Sequence, residues 1–241
     1  NRILTPYLAE AMAQASEGTP IVVVDDAMKR WGMPMGPFEL LDEIGLDIID
    51  HVLDSMNVQP PASAKAALEQ AMKNKWLGKK SGCGFYVYNH RRRAHKPEVN
   101  DDLAETLRGQ SLGHSHKDHA QEHVAREAIA WRLVLPMVNE AAKLMEEGVI
   151  DSPDAIDLAT VLGLGLAPFR GGLMSFAHSV GVQNIVQRLD ELKAEHGDRF
   201  AAAKSLRDGI SPSPGTPGEG GVRVPLRNSV NRPGEEAEPS P

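Results

Sequence analysis

Several features that mark particular classes of protein are scarce or missing in this chain. It has one cysteine, Cys83, which excludes an internal disulfide and fits a reducing, cytoplasmic location. It has no signal peptide and no apolar run of about 18 residues, so no segment is predicted to span a membrane. Its 33 acidic residues outnumber its 26 lysines and arginines, which argues against nucleic acid as a partner. Because Asn1 falls in the first turn of a predicted helix, we expect further chain before it.

Helical periodicity dominates what is present. Apolar residues recur at three- and four-residue spacing over residues 2–17, and Glu17-Gly18 ends that helix. The same pattern predicts helices over about 23–31, 37–56 (one helix or a pair), 62–76, 98–108, 119–146, 153–162 and 181–196. In SGCGFYVY (81–88), aromatic residues alternate after glycines, which predicts a short extended segment.

Two polar regions separate and follow the helices. Residues 91–118 are predicted to be a linker that contains one helix. Residues 209–241 are rich in proline, glycine and serine, cannot bury enough apolar surface to fold, and are predicted to be disordered. His119 and His123 lie one helical turn apart, but no cysteine or intervening glutamate accompanies them, so no metal site is predicted.

The chain contains an internal repeat. RILTPYLAEA (2–11) and RLVLPMVNEA (132–141) share arginine, proline, glutamate and alanine in register. Further pairs follow in the same order: Glu17-Gly18 with Glu147-Gly148, Asp25 with Asp157, Gly32 with Gly163, Pro37-Phe38 with Pro168-Phe169, and Gly45 with Gly181. The repeat predicts an all-α fold in which two homologous helical bundles, residues 1–90 and 119–208, pack as a pseudo-dimer.

The segment WGMPMGPFELLDEIGLD (31–47) places a stiff turn before a helix. Proline suits the first turn of that helix, where its missing N–H has no intrahelical partner to lose. Glycines let the backbone approach a neighbour closely, and from the residues alone that neighbour is either another helix or a ligand.

These motifs carry a resemblance to a known family. NRILTPYLAEA (1–11), Asp25–Met28, GMPMGPFELLDEIGLD (32–47) and KKSGCGFYVY (79–88) resemble the C-terminal domain of 3-hydroxyacyl-CoA dehydrogenases. The second copy, residues 132–172, resembles the repeated C-terminal domain of multifunctional fatty acid β-oxidation proteins, whose α subunits join an enoyl-CoA hydratase/isomerase to the dehydrogenase. The resemblance covers about residues 1–208.

The resemblance implies an enzyme that is completed by other chain segments. A Rossmann domain before Asn1 would bind NAD and carry a His–Glu pair, and the substrate would be an acyl-CoA thioester. This chain has no G-x-G-x-x-G fingerprint, and GLGLAPFRGG (163–172) is a weak lookalike without a preceding strand. We therefore expect no dehydrogenase activity from the fragment alone. A hydratase domain and a thiolase subunit are further partners that the resemblance suggests.

The resemblance also implies specific site residues. Asn1 matches the family's active-site asparagine, whose amide would donate to the substrate oxygen; the alternative is a plain helix N-cap. Trp131 stands at the equivalent place in the second copy, so that copy is expected to be structural. Met35, Gly36, Pro37 and Phe38 are predicted to line the substrate and cofactor cleft; the alternative is packing between domains without ligand contact.

Other functions stay open at this point. The chain could be a non-catalytic helical dimerisation module or a gene remnant. An oxidoreductase acting on small hydroxy acids is a third possibility, against which the repeat and KKSGCGFYVY argue.

Overall fold

A computed structural model describes residues 1–88, 97–109 and 119–209, without the side chains of 119–125. In chain order its helices are α1 (Leu4–Ser16), α2 (Ile21–Trp31), α3 (Pro37–Ile44), α4 (Leu46–Ser55), α5 (Ala62–Asn74), α6 (Asp101–Arg108), α7 (His119–Glu146), α8 (Pro153–Leu164), α9 (Leu173–Val180), α10 (Val182–His196) and α11 (Lys204–Asp208). Strands β1 (Tyr86–Val87) and β2 (Glu98–Val99) form an antiparallel pair. The prediction of a mainly helical protein is confirmed.

The predictions that fall on other residues lie outside this description. They concern residues 210–241 of the tail and, in and beside the linker, residues 89–96 and 110–118. Within the described ranges, no helix is long and apolar enough to cross a membrane. The segment predicted over 37–56 is a pair of helices rather than one, because Gly45 adopts φ +105° and ψ 129°, far from helical values.

The centre of the fold is the packing of α1 against α7. The first residues of α1 lie beside the last residues of α7, since Arg2 is paired with Glu147 and Arg132 with Glu17, so the two helices run antiparallel. Both helices are rich in buried apolar side chains, among them Tyr7 and Met12 of α1 and Leu133, Met137 and Val138 of α7. Each such large side chain contributes about 1.5–3 kcal/mol on burial, so both helices are central to the core.

Part of the predicted linker is folded core. Leu103 and Leu107 of α6 are fully buried against the first half, where α6 packs on α5 and α1. Asn100 fixes the start of α6, because its side chain accepts from the Leu103 N–H and donates to the Gly84 carbonyl at 2.9 Å. A helix is therefore present in the range predicted, 98–108, but it begins at Asp101 because Glu98–Val99 form β2.

In each half an aspartate side chain caps the start of a helix. This shared contact shows which residues of the two halves correspond. Asp25 on α2 accepts from the Phe38 N–H at 2.8 Å, and Asp157 on α8 accepts from the Met174 N–H at 2.6 Å. The capped helices, α3 and α9, then end at Gly45 and Gly181, which share positive φ values of 105° and 93°. The pairing of Gly45 with Gly181 is thus matched by their backbone geometry.

Two of the predicted repeat pairs are wrong. The counterpart of Phe38 is Met174 rather than Phe169, because Phe169 lies in a 3₁₀ turn (Pro168–Arg170) and is 78% exposed. The aspartate and the residue it caps are 13 positions apart in the first half and 17 positions apart in the second. Four extra residues therefore precede α9, and they shift the register of the repeat. Likewise Gly163 lies inside α8, whereas the glycine that ends α8 is Gly165.

Candidate functional site

Asn1 stands at the open end of α1 with its side chain free. Its backbone carbonyl accepts from the Leu4 and Thr5 N–H groups at 3.0 and 2.9 Å, which anchors the residue to the first turn. Within the described chain, no group hydrogen-bonds the Asn1 amide, and Asn1 is exposed. No backbone N–H donates to this side chain, so the Asn1 amide does not cap the helix, although the Asn1 carbonyl accepts the first helical hydrogen bonds.

Arg2 holds this end of the helix against the second half. Its guanidinium donates to Glu140 at 2.8 Å and to both carboxylate oxygens of Glu147, one of them at 2.9 Å. A bidentate arginine–carboxylate contact fixes orientation as well as distance. The backbone of Asn1 is thus held by the hydrogen bonds from Leu4 and Thr5 and by the contacts of the neighbouring Arg2, while its amide is exposed.

The four predicted cleft residues form the turn into α3, and they differ in exposure. Gly36, Pro37 and Phe38 are buried, and the Phe38 ring packs edge-on against Phe85 with centroids 5.0 Å apart. Met35 is partly exposed and is the member of the four with side-chain surface to offer. The turn therefore presents Met35 outward and places Phe38 in the core.

Buried Asp25 connects this turn to Tyr86 of β1. Its carboxylate accepts from the N–H groups of Phe38 and Glu39 and from the Tyr86 hydroxyl, the last at 2.7 Å. Burial raises the pKa of Asp25 to about 7, although these hydrogen bonds act in the opposite direction. The single carboxylate of Asp25 therefore holds the turn in place.

Asp42 repeats this arrangement on α3. Its two oxygens accept from the Phe85 and Tyr86 N–H groups, each at 2.8 Å, and from the Tyr88 hydroxyl at 3.1 Å. Burial raises the pKa of Asp42 to about 6. The alternating aromatics of SGCGFYVY therefore bring two hydroxyls and two N–H groups to a pair of buried aspartates.

Sequence reasoning missed this carboxylate network. It gave the tyrosines Tyr86 and Tyr88 no role and did not place either aspartate in the core. The available signal was the alternation itself, since two tyrosines two residues apart point to the same side of an extended segment. Among the described residues, no group of three or more potential metal ligands occurs.

Trp131, the sequence counterpart of Asn1, is packed rather than free. Its ring lies 5.6 Å from that of Phe176, and its Nε1 donates to Glu127 at 3.2 Å. Because α7 begins at His119, twelve residues before Trp131, the second copy has no open helix end at this position. It therefore has neither the amide nor the exposed first turn that Asn1 provides.

The fold is found in solved dehydrogenase structures. A 3-hydroxybutyryl-CoA dehydrogenase from Escherichia coli K12 superimposes with a TM-score of 0.64 at 23% identity, over 86% of this chain and 58% of that chain. The dehydrogenase part of a multifunctional enzyme from C. elegans gives a TM-score of 0.63 at 19% identity, over 86% and 46% of the respective chains. At these identities the likeness shows the helical fold alone.

The sequence comparisons show the family. The model of the "3-hydroxyacyl-CoA dehydrogenase, C-terminal domain" family matches residues 1–88 and again residues 129–212. This chain therefore belongs to that family, as the motifs suggested. Proteins described as fatty acid oxidation complex subunit alpha, from Vibrio vulnificus and Vibrio cholerae, are 32% and 33% identical to it over 208 residues. The match covers 86% of this chain but only 28% of each relative, so the chain spans about a quarter of their length.

Proposed function

We propose that this chain is the substrate-side, C-terminal part of an NAD-dependent 3-hydroxyacyl-CoA dehydrogenase of fatty acid β-oxidation. The whole enzyme would convert a (3S)-3-hydroxyacyl-CoA and NAD into a 3-oxoacyl-CoA and NADH. The observation that carries the proposal is the free amide of Asn1 on a braced helix end, in a chain of this family.

Asn1 would act on the substrate oxygen. An amide N–H is a neutral donor, so it can stabilise negative charge that develops on the 3-oxygen without itself gaining or losing a proton. The bracing of its backbone by Leu4, Thr5 and the neighbouring Arg2 reduces the freedom that a terminal residue would otherwise have. Met35 would contact the acyl or nicotinamide side of the cleft, while Gly36, Pro37 and Phe38 would set the shape of its wall from the core.

NAD would be held by a different segment. The described residues do not fit a dinucleotide, because their sheet consists of two strands of two residues each and no glycine-rich turn joins a strand to a helix. The family's dependence on NAD therefore implies a Rossmann domain in the same protein. The residues of this chain would contribute the amide donor, the apolar wall and the exclusion of water.

We also propose that the two halves arose by duplication and pack as a pseudo-dimer. The first unit would span 1–90 together with the packed residues 97–109, and the second 119–208. In support, Arg2 reaches Glu140 of α7 and Glu147 just after it, and Arg132 reaches Glu10 of α1 and Glu17 just after it. Such exchange of the same contacts in both directions is the property of a two-fold interface.

An activity comparison tests the proposal. The polypeptide that carries this chain together with its upstream segment should reduce NAD with 3-hydroxybutyryl-CoA, and the 241-residue chain alone should not. Within the longer polypeptide, Asn1→Ala should lower kcat about 100-fold or more, as expected for removal of an oxyanion donor, while Asn1→Asp should not restore activity. Turnover by the isolated chain, or an unchanged kcat in Asn1→Ala, would contradict the assignment.

The same experiment separates the alternative of a non-catalytic helical module. If no upstream dinucleotide-binding segment exists and the chain still assembles with other proteins, the chain is better described as a non-catalytic helical module. Its partners under the main proposal are an upstream Rossmann domain, an enoyl-CoA hydratase domain and a thiolase subunit, and co-purification of the intact complex would identify them.

A further inference from the structure

A cluster of three aromatic rings, drawn from both halves, lines a cavity that the proposed function does not use. The cavity has a volume of about 420 Å³ and lies where the end of α2 meets α7 and α9. Its principal lining residues are Trp31, Trp131, Phe176, Arg30, Arg126 and Arg170. We call it the tryptophan pocket. Its size falls in the range of about 300–1,000 Å³ that is typical of small-molecule sites.

Two indoles flank one phenyl ring in this pocket. Phe176 lies edge-on to Trp31, with centroids 5.2 Å apart, and is tilted against Trp131 at 5.6 Å. Both tryptophans are only half-buried although they pack on the core. Flat, partly exposed aromatic surfaces on two walls of a cavity are suited to stacking a planar ring.

Each indole also has a guanidinium on one face. Arg170 lies 4.1 Å from the Trp31 ring centroid and is held there because its Nε donates to the Trp31 carbonyl at 2.9 Å. Arg188 lies 4.3 Å from the Trp131 ring. Arginine stacked in this way keeps its outer N–H groups available to an anion.

The positive charge of these two arginines is not neutralised within the described part of the chain. Neither Arg170 nor Arg188 has a carboxylate partner there, whereas Arg30 pairs with Asp26 at 2.8 Å. Glu127 also lines the pocket, and its carboxylate accepts from the neutral Trp131 Nε1–H group. Burial lowers the pKa of Arg170, and within the described residues its guanidinium contacts the Trp31 ring and carbonyl rather than a carboxylate, so it can bind an anion from outside.

The position of the pocket adds a second observation. Trp131 is the sequence counterpart of Asn1, and Arg170 and Phe176 belong to the turn and helix that correspond to Met35–Phe38 and α3. The pocket therefore lies at the second half's equivalent of the proposed cleft, with α2 of the first half as an added wall. A duplicated cleft that has lost its amide but gained aromatic and cationic residues has the composition of a binding site rather than a reaction site.

We propose that the tryptophan pocket binds the phosphorylated adenosine of a nucleotide, with the base stacked on the indoles and a phosphate on Arg170. Adenine supplies the planar ring, and phosphate is the anion that a fork of guanidinium N–H groups binds best. Free adenine nucleotides and the adenosine end of coenzyme A share this chemistry. No covalent step is involved, and the site does not require Asn1 to be catalytic.

Binding to the 241-residue chain tests this directly. Titration calorimetry and tryptophan fluorescence should show binding of adenosine 3′,5′-bisphosphate below about 1 mM, with adenosine and inorganic phosphate each at least about tenfold weaker. Tighter binding of coenzyme A or the 3′,5′-bisphosphate than of AMP and ADP would identify the coenzyme as the source, and the reverse order a free nucleotide. No binding of any of these nucleotides by the folded chain would overturn the proposal.

Matched variants locate the site. Arg170→Met and Trp131→Leu should each weaken nucleotide binding about tenfold, because one removes a charge-assisted hydrogen bond and the other a stacking surface. Arg207→Met, which removes an exposed arginine paired with Asp190, and Trp76→Leu, which changes a tryptophan outside the pocket, should leave it unchanged. Should Arg170→Met fail to fold by circular dichroism, Trp31→Leu, which removes the other stacking surface of the pocket, takes its place.

The outcomes separate this proposal from the proposed function. Equal loss of binding in the pocket variants and the controls would overturn the site. In the longer polypeptide, Asn1→Ala should abolish turnover without changing nucleotide binding at the tryptophan pocket. If turnover is absent but the pocket variants alter binding as described, the dehydrogenase assignment fails and the binding site stands.

Discussion

The Arg132 guanidinium donates to the buried carboxylate of Glu10 at 2.6 Å, and the same guanidinium reaches both oxygens of Glu17. Arg2 makes the corresponding contacts with Glu140 and Glu147 at the other end of the helix pair. The two sets differ in environment, because the Arg132 side chain is 11% exposed and that of Arg2 is 36% exposed. Equivalent contacts in unequal environments allow the role of burial to be measured within one protein.

Removing Arg132 should destabilise the fold far more than removing Arg2. Arg132→Met leaves the almost fully buried Glu10 with Arg199 as its remaining partner, and we expect a loss of about 3 kcal/mol in the free energy of unfolding. Arg2→Met breaks a more exposed set and should cost less than about 1 kcal/mol. Urea denaturation of both variants checks this, and equal losses would show that burial is not the deciding factor.

Two glycine substitutions should change stability in opposite directions. At Gly36 an added Cβ would collide with the backbone and side chain of Asp25, so Gly36→Ala should cost about 1–3 kcal/mol. Gly163 lies in the interior of α8 with nothing within 4 Å of an added Cβ. Gly163→Ala should therefore raise stability by about 0.5–1 kcal/mol, because alanine loses less backbone entropy on forming a helix. Thermal unfolding monitored by circular dichroism distinguishes the two signs.

Stability should fall as the pH rises from 5 to 8. The folded-state pKa values of Asp25 and Asp42, about 7 and about 6, lie above the ordinary aspartate value of 3.8. The folded state therefore binds protons more tightly than the unfolded chain. This contribution to stability is fully present below pH 3.8 and is lost as the pH rises through the two folded-state values. Urea midpoints measured across this range test the direction.

Substitution with asparagine identifies the groups responsible. Asp25→Asn keeps the size of the side chain but removes its titration, so the slope of stability against pH between 6 and 8 should become flatter. Asp54→Asn, at an exposed position on α4, is the matched control and should keep the wild-type slope. An unchanged slope in Asp25→Asn would assign the pH dependence to other groups.

Phe38 and Met35 should separate stability from substrate binding. Phe38→Ala removes a fully buried ring that packs on Phe85 and should cost about 3–5 kcal/mol. Met35→Ala alters a partly exposed side chain and should change stability by less than about 1 kcal/mol. In the longer polypeptide, Met35→Ala should raise KM for the acyl-CoA while the protein remains folded. A Met35→Ala enzyme with wild-type KM would remove this residue from the cleft.

Local patterns in the sequence predicted most of the helices and the family, but they did not predict α9 (Leu173–Val180) or α11 (Lys204–Asp208). The three- and four-residue spacing of apolar side chains predicted α7 over 119–146 with both ends correct. This works because the buried residues of a helix recur with the helical period along the chain. The motifs around Asn1 and KKSGCGFYVY identified the family that the comparisons show. These features depend on residues that are close along the chain.

Tertiary structure decided the correspondences that depend on contacts. Phe38 matches Met174 rather than Phe169, because it is the Met174 backbone N–H that donates to Asp157, and any residue at that position of the helix N-terminus can donate in this way. The acceptors of the Tyr86 and Tyr88 hydroxyls, Asp25 and Asp42, lie 61 and 46 residues away along the chain, and no local pattern joins them. The sequence by itself therefore determined the helical class and the family. Only the tertiary structure decided which side chains are free, which are buried, and which residues of the two halves contact one another. These properties depend on distances in space rather than on order along the chain.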